Sequence, residues 1–543
     1  MKACYRAILV TVAMVLAFAG TAAAQHEHHE TGDATRLGTV KFQNSCAAAV
    51  QEQFNRGLAL LHSFWFEAAG REFAGVTQND PACAIGWWGV AMTRWQPLWA
   101  PPNAESLAAG SAAVEKAKAA AKATERERAY IAAIGSFYAN SDTQDHRTRA
   151  LAYEKAMEQL AARFPDDTEA ALFYSLALQG AAAASPPDPE LARLRKAGPI
   201  AEKVLAAQPN HPGAAHYVIH AYDHPKLAAK GLDAARAYAK IAPDSPHALH
   251  MPSHIFTRLG YWDESIASNI DSAAAGRKHN SLGDELHALD YLVYAYLQLG
   301  QDDKARAAMA SAPRSAGTGG SVRFAGLYAI ASMEARYTLE RQAWKDAAAL
   351  EYPGGVFPSG SQSWTEISFH FARGLGAARS GDLATARAAI ERLAAIREAI
   401  ATVNYWPGAA ESHRLSVAAW VARAEGKNDQ ALELMRSASD LEDKIDKHPV
   451  SPGYILPARE LLGDMLMELN QPAKALVEYE EALRSSPRRF NTTYSAARAA
   501  EMSGNATKAA AFYRQAVELA GESKALASRL QHAREYLGRA SRE

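Results

Sequence analysis

The sequence predicts an all-α protein built from stacked helix pairs, an α-solenoid. With 543 residues, the chain is several times longer than a typical single domain, so it contains either several domains or an array of repeats. Hydrophobic residues make up 48% of it and alanine is abundant, whereas apolar residues that alternate with period two are scarce. Small and aromatic residues also recur at a fixed interval. These three observations favour a helical repeat over a sheet protein.

The first residues have the composition of a secretory signal. Lys2 and Arg6 precede the apolar run AILVTVAMVLAFAG, and the small residues of TAAA lead to a cleavage position before Gln25. The run is short for a transmembrane helix, and no cysteine stands at the cut site to accept a lipid. We therefore interpret residues 1–24 as a signal peptide and expect a periplasmic or secreted protein without a membrane anchor.

Export changes how the cysteines are interpreted. Cys4 leaves with the signal, so the mature chain contains Cys46 and Cys83. In an oxidising compartment we expect this pair to form one disulfide. Two buried free thiols are the alternative, because pairing geometry cannot be deduced from sequence.

A repeat is visible at both ends of the mature chain. Near the N-terminus the matching small, aromatic and proline positions are Gly57, Ala69, Phe73 and Pro81, and the next unit continues with Trp87, Val90 and Ala91. Near the C-terminus they are Gly463, Ala475, Tyr479, Ala482 and Pro487, and the same positions 34 residues later are Ala497, Ala509, Tyr513 and Ala516. On these residues the chain resembles the tetratricopeptide-repeat superfamily, as an exported bacterial-type member. The unit of that superfamily is a pair of antiparallel helices of about 34 residues.

The resemblance implies roughly ten stacked units. No unit can bury its apolar stripe alone, so neighbours stack into a superhelix with an extended concave surface. We expect residues 25–45 to be a disordered N-terminus that contains the histidine-rich QHEHHE, residues 46–320 and 321–530 to form two repeat blocks, and residues 531–543 to be a tail.

Histidines cluster in the segment HALHMPSHIFTRLG, which contains His247, His250 and His254. Units that begin at Pro212 and Pro246 place two more histidines in register with this segment. His216 then corresponds to His250 and His220 to His254, each 34 residues apart. Since residues four apart share a helix face, the pairs are expected to lie side by side on stacked helices, off the core face.

In tetratricopeptide proteins certain positions of the first helix of each unit line the concave groove. Carried over by resemblance, the groove residues are Asp223, His224, His247, Thr257, Arg258, His287, Asp290 and Tyr294, together with His216, His220, His250 and His254. The resemblance therefore implies a groove that binds a peptide, a protein segment or a small ligand.

The histidine pairs also allow a transition-metal site. Imidazoles at His216, His220, His250 and His254, oriented by a carboxylate such as Asp223 or Asp290, could bind zinc, iron or copper. The alternatives are histidines that hydrogen-bond between helices, or a polar surface for a peptide carboxylate. The geometry depends on Pro252, which removes a backbone donor and could restart the helix at that point, so that His250 and His254 would not be one turn apart.

The remaining sequence gives little chemical information. No HExxH, CxxC or other established catalytic signature is present, so nothing points to an enzyme, and no cofactor is implied beyond the possible metal. The net charge of −1 gives no reason to expect nucleic acid as a partner. An exported scaffold that binds a protein or peptide is the leading interpretation, and a metal-binding protein or metal-dependent enzyme is the alternative.

Overall fold

A computed structural model describes residues 36–99, 101–315, 320–352, 363–401, 405–521 and 523–540. Within these residues the chain forms 26 α-helices and three short 3-10 helices. Within the same residues, β-type pairing is limited to one isolated bridge between Cys83 and Lys122. The all-α prediction is therefore confirmed.

The helices follow one another through short connections. In the first half they are α1 Gln51–His62, α2 Phe66–Asn79, α3 Ala84–Met92, α4 Ala104–Ala119, α5 Glu125–Tyr138, α6 His146–Arg163, α7 Thr168–Ala183, α8 Ala192–Ala207, α9 Pro212–Tyr222, α10 Leu232–Ile241, α11 Pro246–His250, α12 Pro252–Leu259 and α13 Trp262–Lys278. In the second half they are α14 Leu282–Gln298, α15 Asp302–Ser311, α16 Gly320–Glu340, α17 Trp344–Ala348, α18 Glu366–Ser380, α19 Leu383–Ala399, α20 Trp406–Ala424, α21 Asn428–Ile445, α22 Ala458–Glu468, α23 Pro472–Ser485, α24 Phe490–Met502, α25 Ala506–Ala520 and α26 Ala527–Ala540. The 3-10 helices are Ala48–Val50, Ala228–Gly231 and Ser363–Thr365.

The packing within helix pairs explains the repeat pattern. A Cβ at Gly463 would lie 2.5 Å from the ring of Tyr479, and a Cβ at Gly57 would lie 3.1 Å from the ring of Phe73. In each pair the first helix thus needs a residue without a side chain where the aromatic ring of the second helix packs. The tetratricopeptide-type helix pair predicted from the sequence is confirmed, and the described chain is an α-solenoid.

The predicted register also holds in the middle of the chain. Helix α9 begins at Pro212 and α11 at Pro246, the two unit starts read from the sequence. Proline suits the first helical position because its missing N–H has no intrahelical partner there. The residues before them, His211 and Ser245, cap the two helices with side-chain acceptors for the backbone N–H groups of Ala214 and Ala248.

Pro252 interrupts the hydrogen bonding of the histidine-rich helix without changing its direction. One helix ends at His250 and the next begins at Pro252, but Met251 between them keeps right-handed helical angles, φ −54° and ψ −35°. The side chains of His250 and His254 therefore remain one turn apart. A new helix begins at Pro252, as expected. His250 and His254 nevertheless stay on the same face, which the sequence analysis had left open.

Three sequence boundaries need correction. Residues 36–45 are packed and not disordered, since Leu37, Val40 and Phe42 are buried in the N-terminal core. Residues 531–540 are not a tail, because they belong to α26, which buries Leu530 and Ala533. The apolar core changes from one cluster to the next between residues 256 and 273 and not near 320. Residues 1–35, with the signal and QHEHHE, lie outside the described residues.

The solenoid also contacts itself across long sequence separations. The indole N–H of Trp262 donates to the carbonyl of Arg488 at 2.9 Å, and the Ser523 hydroxyl donates to the carbonyl of Gly300 at 2.6 Å. The buried Arg489 guanidinium pairs with Glu340 at 2.6 Å and Glu460 at 3.2 Å. The C-terminal helices thus close back on the middle of the chain. No helix among the described residues has the length and apolarity to cross a bilayer.

Cys46 and Cys83 form the predicted disulfide, with Cα atoms 4.8 Å apart and a separation of 37 positions in sequence. It joins the start of the N-terminal core to the first residue before α3.

We predict that Cys46→Ala lowers the free energy of unfolding by about 4 kcal/mol, since a crosslink over this separation removes that much chain entropy from the unfolded state. Urea unfolding of the variant and of the wild type measures the difference. Wild-type protein unfolded under strong reductant should approach the variant. Equal midpoints for oxidised wild type and variant would contradict the prediction.

Candidate metal centre

Six histidines converge into two adjacent clusters. In each cluster the possible ligand atoms lie within 4.8 Å of one another. Cluster A consists of His216, His220 and His247, and cluster B consists of His250, His254 and His287. The four histidines proposed as metal ligands from sequence are therefore brought together, and each i, i+4 pair gains a third histidine from the next helix.

The helices that carry the clusters are consecutive rows of the solenoid. Helix α9 supplies His216 and His220, α11 and α12 supply the next three, and α14 supplies His287. The two clusters touch: ring centroids lie 6.1 Å apart for His247 and His250, and 5.9 Å apart for His220 and His254. The six imidazoles thus form one continuous site.

This site is buried. His216 is fully inaccessible, His250, His254 and His287 are each 2% exposed, and His247 is 5% exposed. His220 is half-buried. The expectation that these residues line an open groove off the core face is wrong, because the chain folds over them.

Aromatic side chains form one part of the cover over cluster A. Phe64, in the turn after α1, lies 4.4 Å from His216, 5.4 Å from His220 and 5.8 Å from His247 between ring centroids. The ring of Tyr238 stacks on His216 at 5.1 Å. Trp99 lies 5.5 Å from His247 and 5.9 Å from His287, so that it spans both clusters.

The turn at Phe64 has an unusual backbone. Its φ of 54° is in the left-handed region, where the corresponding turns after other first helices have Gly260, Gly300, Gly504, Asn470 and Gln342, none of them aromatic. A bulky residue in this region costs on the order of 1 kcal/mol or more. The conformation directs the ring of Phe64 among three histidines of cluster A. Sequence reasoning missed this residue, although an aromatic at a glycine position of the repeat was a visible signal.

The cover over cluster B comes from the linker between α21 and α22, residues 446–457, called here the cover segment. Tyr291 of α14 places its hydroxyl 3.2 Å from the carbonyls of Pro449 and Ser451. Arg336 donates to the carbonyl of Tyr454 at 3.0 Å. This segment therefore packs against α14 and α16 next to cluster B.

Ionic contacts fix the cover segment to the histidine helices. Arg258 pairs with Asp223 at 2.8 Å and with Asp446 at 2.7 Å, and Lys447 pairs with Asp223 at 3.3 Å. Asp223 also accepts from Nδ1 of His254 at 2.8 Å. Asp223 and Arg258, predicted as groove residues, thus act within the chain: they attach the cover and orient a histidine.

The other predicted groove residues lie around the site without joining a cluster. Asp290 does not orient a histidine, because it pairs with Arg336 at 3.3 Å. The hydroxyl of Tyr294 lies 3.3 Å from Arg489, and the hydroxyl of Thr257 donates to the carbonyl of His254 at 3.1 Å. His224 is half-buried and accepts from the backbone N–H of Lys226.

Hydrogen bonds at Nδ1 determine which nitrogen of three histidines is free. The carbonyl of His62 accepts from Nδ1 of His216 at 2.6 Å, and Oδ1 of Asn269 accepts from Nδ1 of His250 at 2.7 Å. The amide nitrogen of Asn269 donates to the carbonyl of Ser265, which leaves only its oxygen to face His250. With Asp223 on His254, three imidazoles carry their proton on Nδ1 and present a lone pair at Nε2.

Those lone pairs meet inside the clusters. Nε2 of His250 and Nε2 of His254 lie 3.0 Å apart, although each ring already carries its proton on the other nitrogen. Two acceptors at this distance repel each other unless a cation lies between them or one ring becomes charged. Five further ring nitrogens have no hydrogen-bond partner among the described residues. They are Nε2 of His216, His220 and His247, in cluster A, and both nitrogens of His287.

Burial keeps these rings neutral. Loss of hydration lowers the pKa of His216 to about 3 and lowers the pKa of His220, His247, His250 and His287 well below the ordinary value of 6.5. Burial also lowers the pKa of His254, against the opposing effect of its hydrogen bond to Asp223. Neutral imidazole is the form that binds a metal ion.

A third cluster has a different character. Glu169 accepts from Nε2 of His62 at 2.8 Å and from Nε2 of His211 at 2.9 Å. The remaining nitrogens are also partnered: Tyr217 donates to Nδ1 of His62 at 2.9 Å, and the N–H of Ala214 donates to Nδ1 of His211. Every polar atom is satisfied, so this network is structural. It holds the His62 backbone, whose carbonyl orients His216.

The chain has distant similarity to several solved structures, two of which are described as tetratricopeptide-repeat proteins. The TPR domain of P58(IPK) is 14% identical, with 91% of this chain and 100% of that chain covered and a TM-score of 0.21. A tetratricopeptide repeat protein from Parabacteroides merdae is 15% identical, with coverage of 53% and 98% and a TM-score of 0.28. Yeast Tom70 is 12% identical, with coverage of 91% and 96% and a TM-score of 0.30. No protein-family model matches the chain, and no curated protein matches it.

Such distant similarity says nothing about the histidine clusters. The fold assignment rests on the helix pairs, their 34-residue register and the packing of Gly463 and Gly57 described above.

Neutral buried histidines make the stability of the metal-free protein depend on pH. A histidine whose folded pKa is lowered contributes stability above 6.5, which is lost as the pH falls, because only the unfolded state then takes up the proton. Five carboxyls act in the opposite sense: burial raises the pKa of Glu442 to about 8, of Glu460 to about 7 and of Asp284 to about 6, and it also raises the pKa of Asp290 and Asp464. The histidines with a lowered pKa outnumber these carboxyls. They include His216, His220, His247, His250, His254, His287, His413 and His448.

We predict that chelator-treated protein loses several kcal/mol of unfolding free energy between about pH 7 and pH 5, at about 1.4 kcal/mol per pH unit for each net proton. Urea unfolding at both pH values measures this loss. The His216→Phe variant should show a shallower dependence, by about one proton. A stability that is flat or rises towards pH 5 would contradict the assignment of neutral rings.

Proposed function

We propose that the protein is an exported metalloprotein whose six-histidine centre binds two transition-metal ions, one in each cluster. The observation that carries the proposal is the contact of Nε2 atoms from His250 and His254 at 3.0 Å, with both Nδ1 protons already used by Asn269 and Asp223. A metal ion between the two lone pairs converts a repulsive contact into two bonds. The hydroxyl of Tyr291 also lies 3.4 Å from Nε2 of His254, but the carbonyls of Pro449 and Ser451, both at 3.2 Å, compete for its single proton.

Cluster A supports the same conclusion independently. Three buried Nε2 atoms without partners each forgo a hydrogen bond, at a cost of about 1–3 kcal/mol per atom. One ring nitrogen of each of these three histidines lies within 4.8 Å of the others, so a single metal ion could bind all three rings. Packing alone gives no reason to orient three imidazole nitrogens towards one point.

The supporting contacts are those expected of a metal site. Metal-binding histidines usually donate their second N–H to a carbonyl, an amide oxygen or a carboxylate, which fixes the ring and raises its basicity. His216, His250 and His254 do so towards the His62 carbonyl, Asn269 and Asp223. Imidazole ligands suit zinc, copper and iron.

The solenoid provides the rigid frame for this centre. The helices that carry the histidines are packed on both sides, and the cover segment packs against α14 and α16 next to cluster B. Binding of a protein or peptide at the clusters themselves finds no support in this arrangement. Binding of a partner elsewhere on the solenoid remains a prediction from the repeat resemblance.

Export is part of the proposal. The signal-like residues 1–24 and the disulfide between Cys46 and Cys83 both suit an oxidising compartment. We expect protein collected outside the cytoplasm to begin at Gln25, as measured by intact mass. An uncleaved N-terminus on exported protein would contradict this cleavage site.

We predict that untagged protein retains about two metal ions per chain, and that His216→Ala and His250→Ala each retain about one, because each variant breaks one cluster. Elemental analysis after dialysis measures the ratio. All proteins carry alanine at His26, His28 and His29, so that the N-terminal tail cannot contribute.

The matched control is His413→Ala. His413 is also buried and neutral, with its pKa lowered to about 3, but it stacks on Phe371 far along the chain from both clusters. It should keep about two ions. Retention of no metal by the parent protein, together with no thermal shift on adding zinc, copper or iron, would reject the proposal.

A second variant tests the orienting contacts. Asn269→Leu removes the acceptor on His250 and should weaken binding in cluster B by about 10–100-fold, the usual effect of losing such a partner. Ser272→Ala, on the same helix, removes only a hydrogen bond to the carbonyl of Pro246 and serves as control. Competition against a chelator measures both affinities. Equal affinities in the two variants would show that Asn269 does not position the ring.

A further inference from the structure

We propose that a metal ion in cluster B fixes the cover segment, residues 446–457, to the histidine helices through Tyr291, so that loss of the ion loosens this segment. The inference rests on the proposed function, since it requires an ion bound by His250 and His254. It adds a regulatory property of that site, namely which part of the chain responds when the ion binds.

The cover segment is held by side chains and not by a helix of its own. Helix α21 ends at Ile445 and α22 begins at Ala458, yet between them Val450, Ile455 and Leu456 are each 3% exposed or less. A buried segment with few backbone hydrogen bonds opens locally at a lower free energy than the helices around it. Its position therefore depends on the few side chains that contact it.

Tyr291 of α14 joins this segment to cluster B. Its hydroxyl lies 3.2 Å from the carbonyls of Pro449 and Ser451, and 3.4 Å from Nε2 of His254. Neither carbonyl has another hydrogen-bond donor among the described residues. Since the hydroxyl has a single proton, a hydrogen bond to His254 takes that proton away from the cover segment.

The metal ion determines which acceptor receives this proton. Without an ion, the lone pairs of His250 and His254 face each other at 3.0 Å, and donation from Tyr291 to His254 relieves their repulsion. An ion on Nε2 of His254 uses that lone pair, so the hydroxyl then donates only to the two carbonyls. The cover segment is therefore held more firmly when the ion is bound.

A second contact acts in the same direction on the other side of the His254 ring. Nδ1 of His254 donates to Asp223 at 2.8 Å, and the same carboxylate accepts from Lys447 at 3.3 Å. Arg258 connects Asp223 to Asp446, at 2.8 Å and 2.7 Å. An ion on Nε2 polarises the ring and strengthens its N–H donation to Asp223. The carboxylate that holds the start of the cover segment is then fixed more firmly as well.

Cluster A provides an internal comparison. Among the described residues, no hydrogen bond or ion pair joins its three histidines to residues 446–457: Nδ1 of His216 donates to the His62 carbonyl, and the three Nε2 atoms have no partner. The response of the cover segment should therefore follow the ion in cluster B alone. By linkage, the factor by which that ion stabilises the docked segment equals the factor by which docking strengthens ion binding.

The test is hydrogen exchange of the full chain, measured by mass spectrometry on peptides that span residues 446–457. The protein carries His26→Ala, His28→Ala and His29→Ala, so that the N-terminal residues bind no metal. Chelator-treated protein is compared with zinc-loaded protein, and elemental analysis confirms the loading. Zinc should slow exchange in this segment by about tenfold, the change that one buried hydrogen bond produces.

Two tyrosine variants separate the proposed link from a general loss of packing. Tyr291→Phe removes the hydroxyl between His254 and the segment, and should lose most of the slowing by zinc. Tyr328→Phe is the matched control. The Tyr328 hydroxyl donates to the hydroxyl of Ser451 at 2.9 Å, and Tyr328 has no hydrogen bond or ring contact with a histidine among the described residues. Exchange in this variant should be faster both with and without zinc, and zinc should still slow it by about tenfold.

Two histidine variants test which cluster is responsible. His216→Ala removes a ligand of cluster A and should keep the slowing by zinc, whereas His250→Ala removes a ligand of cluster B and should lose it. Circular dichroism confirms folding, and His216→Gln and His250→Gln replace an alanine variant that does not fold.

The outcomes distinguish this inference from the proposed function. Zinc retained at about two ions per chain with unchanged exchange of residues 446–457 overturns the inference and leaves the metal centre standing. Full slowing by zinc in Tyr291→Phe or in His250→Ala also overturns it. Failure of the parent protein to hold any metal overturns both.

Discussion

Six neutral imidazoles enclosed away from water are the constraint on which the rest of this structure depends. Each ring brings a nitrogen lone pair into a dry interior, and at His250 and His254 two lone pairs approach to 3.0 Å. Unmade hydrogen bonds in such surroundings cost about 1–3 kcal/mol each, comparable in sum to the stability of a domain. The arrangement persists because residues on every side fix the rings. These are the His62 carbonyl, held by the Glu169 network, Asn269 on α13, and Asp223 at the end of α9.

Enclosure of the site explains features that an ordinary solenoid does not need. Phe64 adopts a left-handed backbone where other units have glycine, asparagine or glutamine, and its ring covers cluster A. The cover segment leaves the helical repeat altogether and packs against α14 and α16, fixed by Arg336 and by the ionic contacts of Asp223. Arg489, buried with two carboxylates, holds the C-terminal units against the middle of the chain. The surface around the histidine clusters, which stacked repeats usually leave open to solvent, is therefore buried in this protein.

The sequence predicts the features of this site that follow from the helical repeat. It does not predict the features that depend on contacts between distant parts of the chain. The 34-residue register places His216 beside His250 and gives the starts of α9 and α11, because local helix signals and packing of small residues determine both. Burial could not be deduced, since it depends on contacts such as Arg258 with Asp446, 188 residues apart. For the same reason Asp290 was expected to support a histidine, whereas it pairs with Arg336, a residue that the register does not place nearby.

The same register also limits the centre to two clusters. Each cluster combines an i, i+4 pair on one helix with one histidine from the next row, so stacking of identical rows would continue the series of sites. On α14 the series stops, because the residue four positions after His287 is Tyr291, whose hydroxyl contacts the cover segment instead of presenting a nitrogen. Beside cluster A, the ring of His62 at the end of α1 makes its hydrogen bonds to Glu169 and Tyr217 and joins neither cluster. The stacking of repeats thus brings two groups of three histidines together, and no separately folded unit is needed to position them.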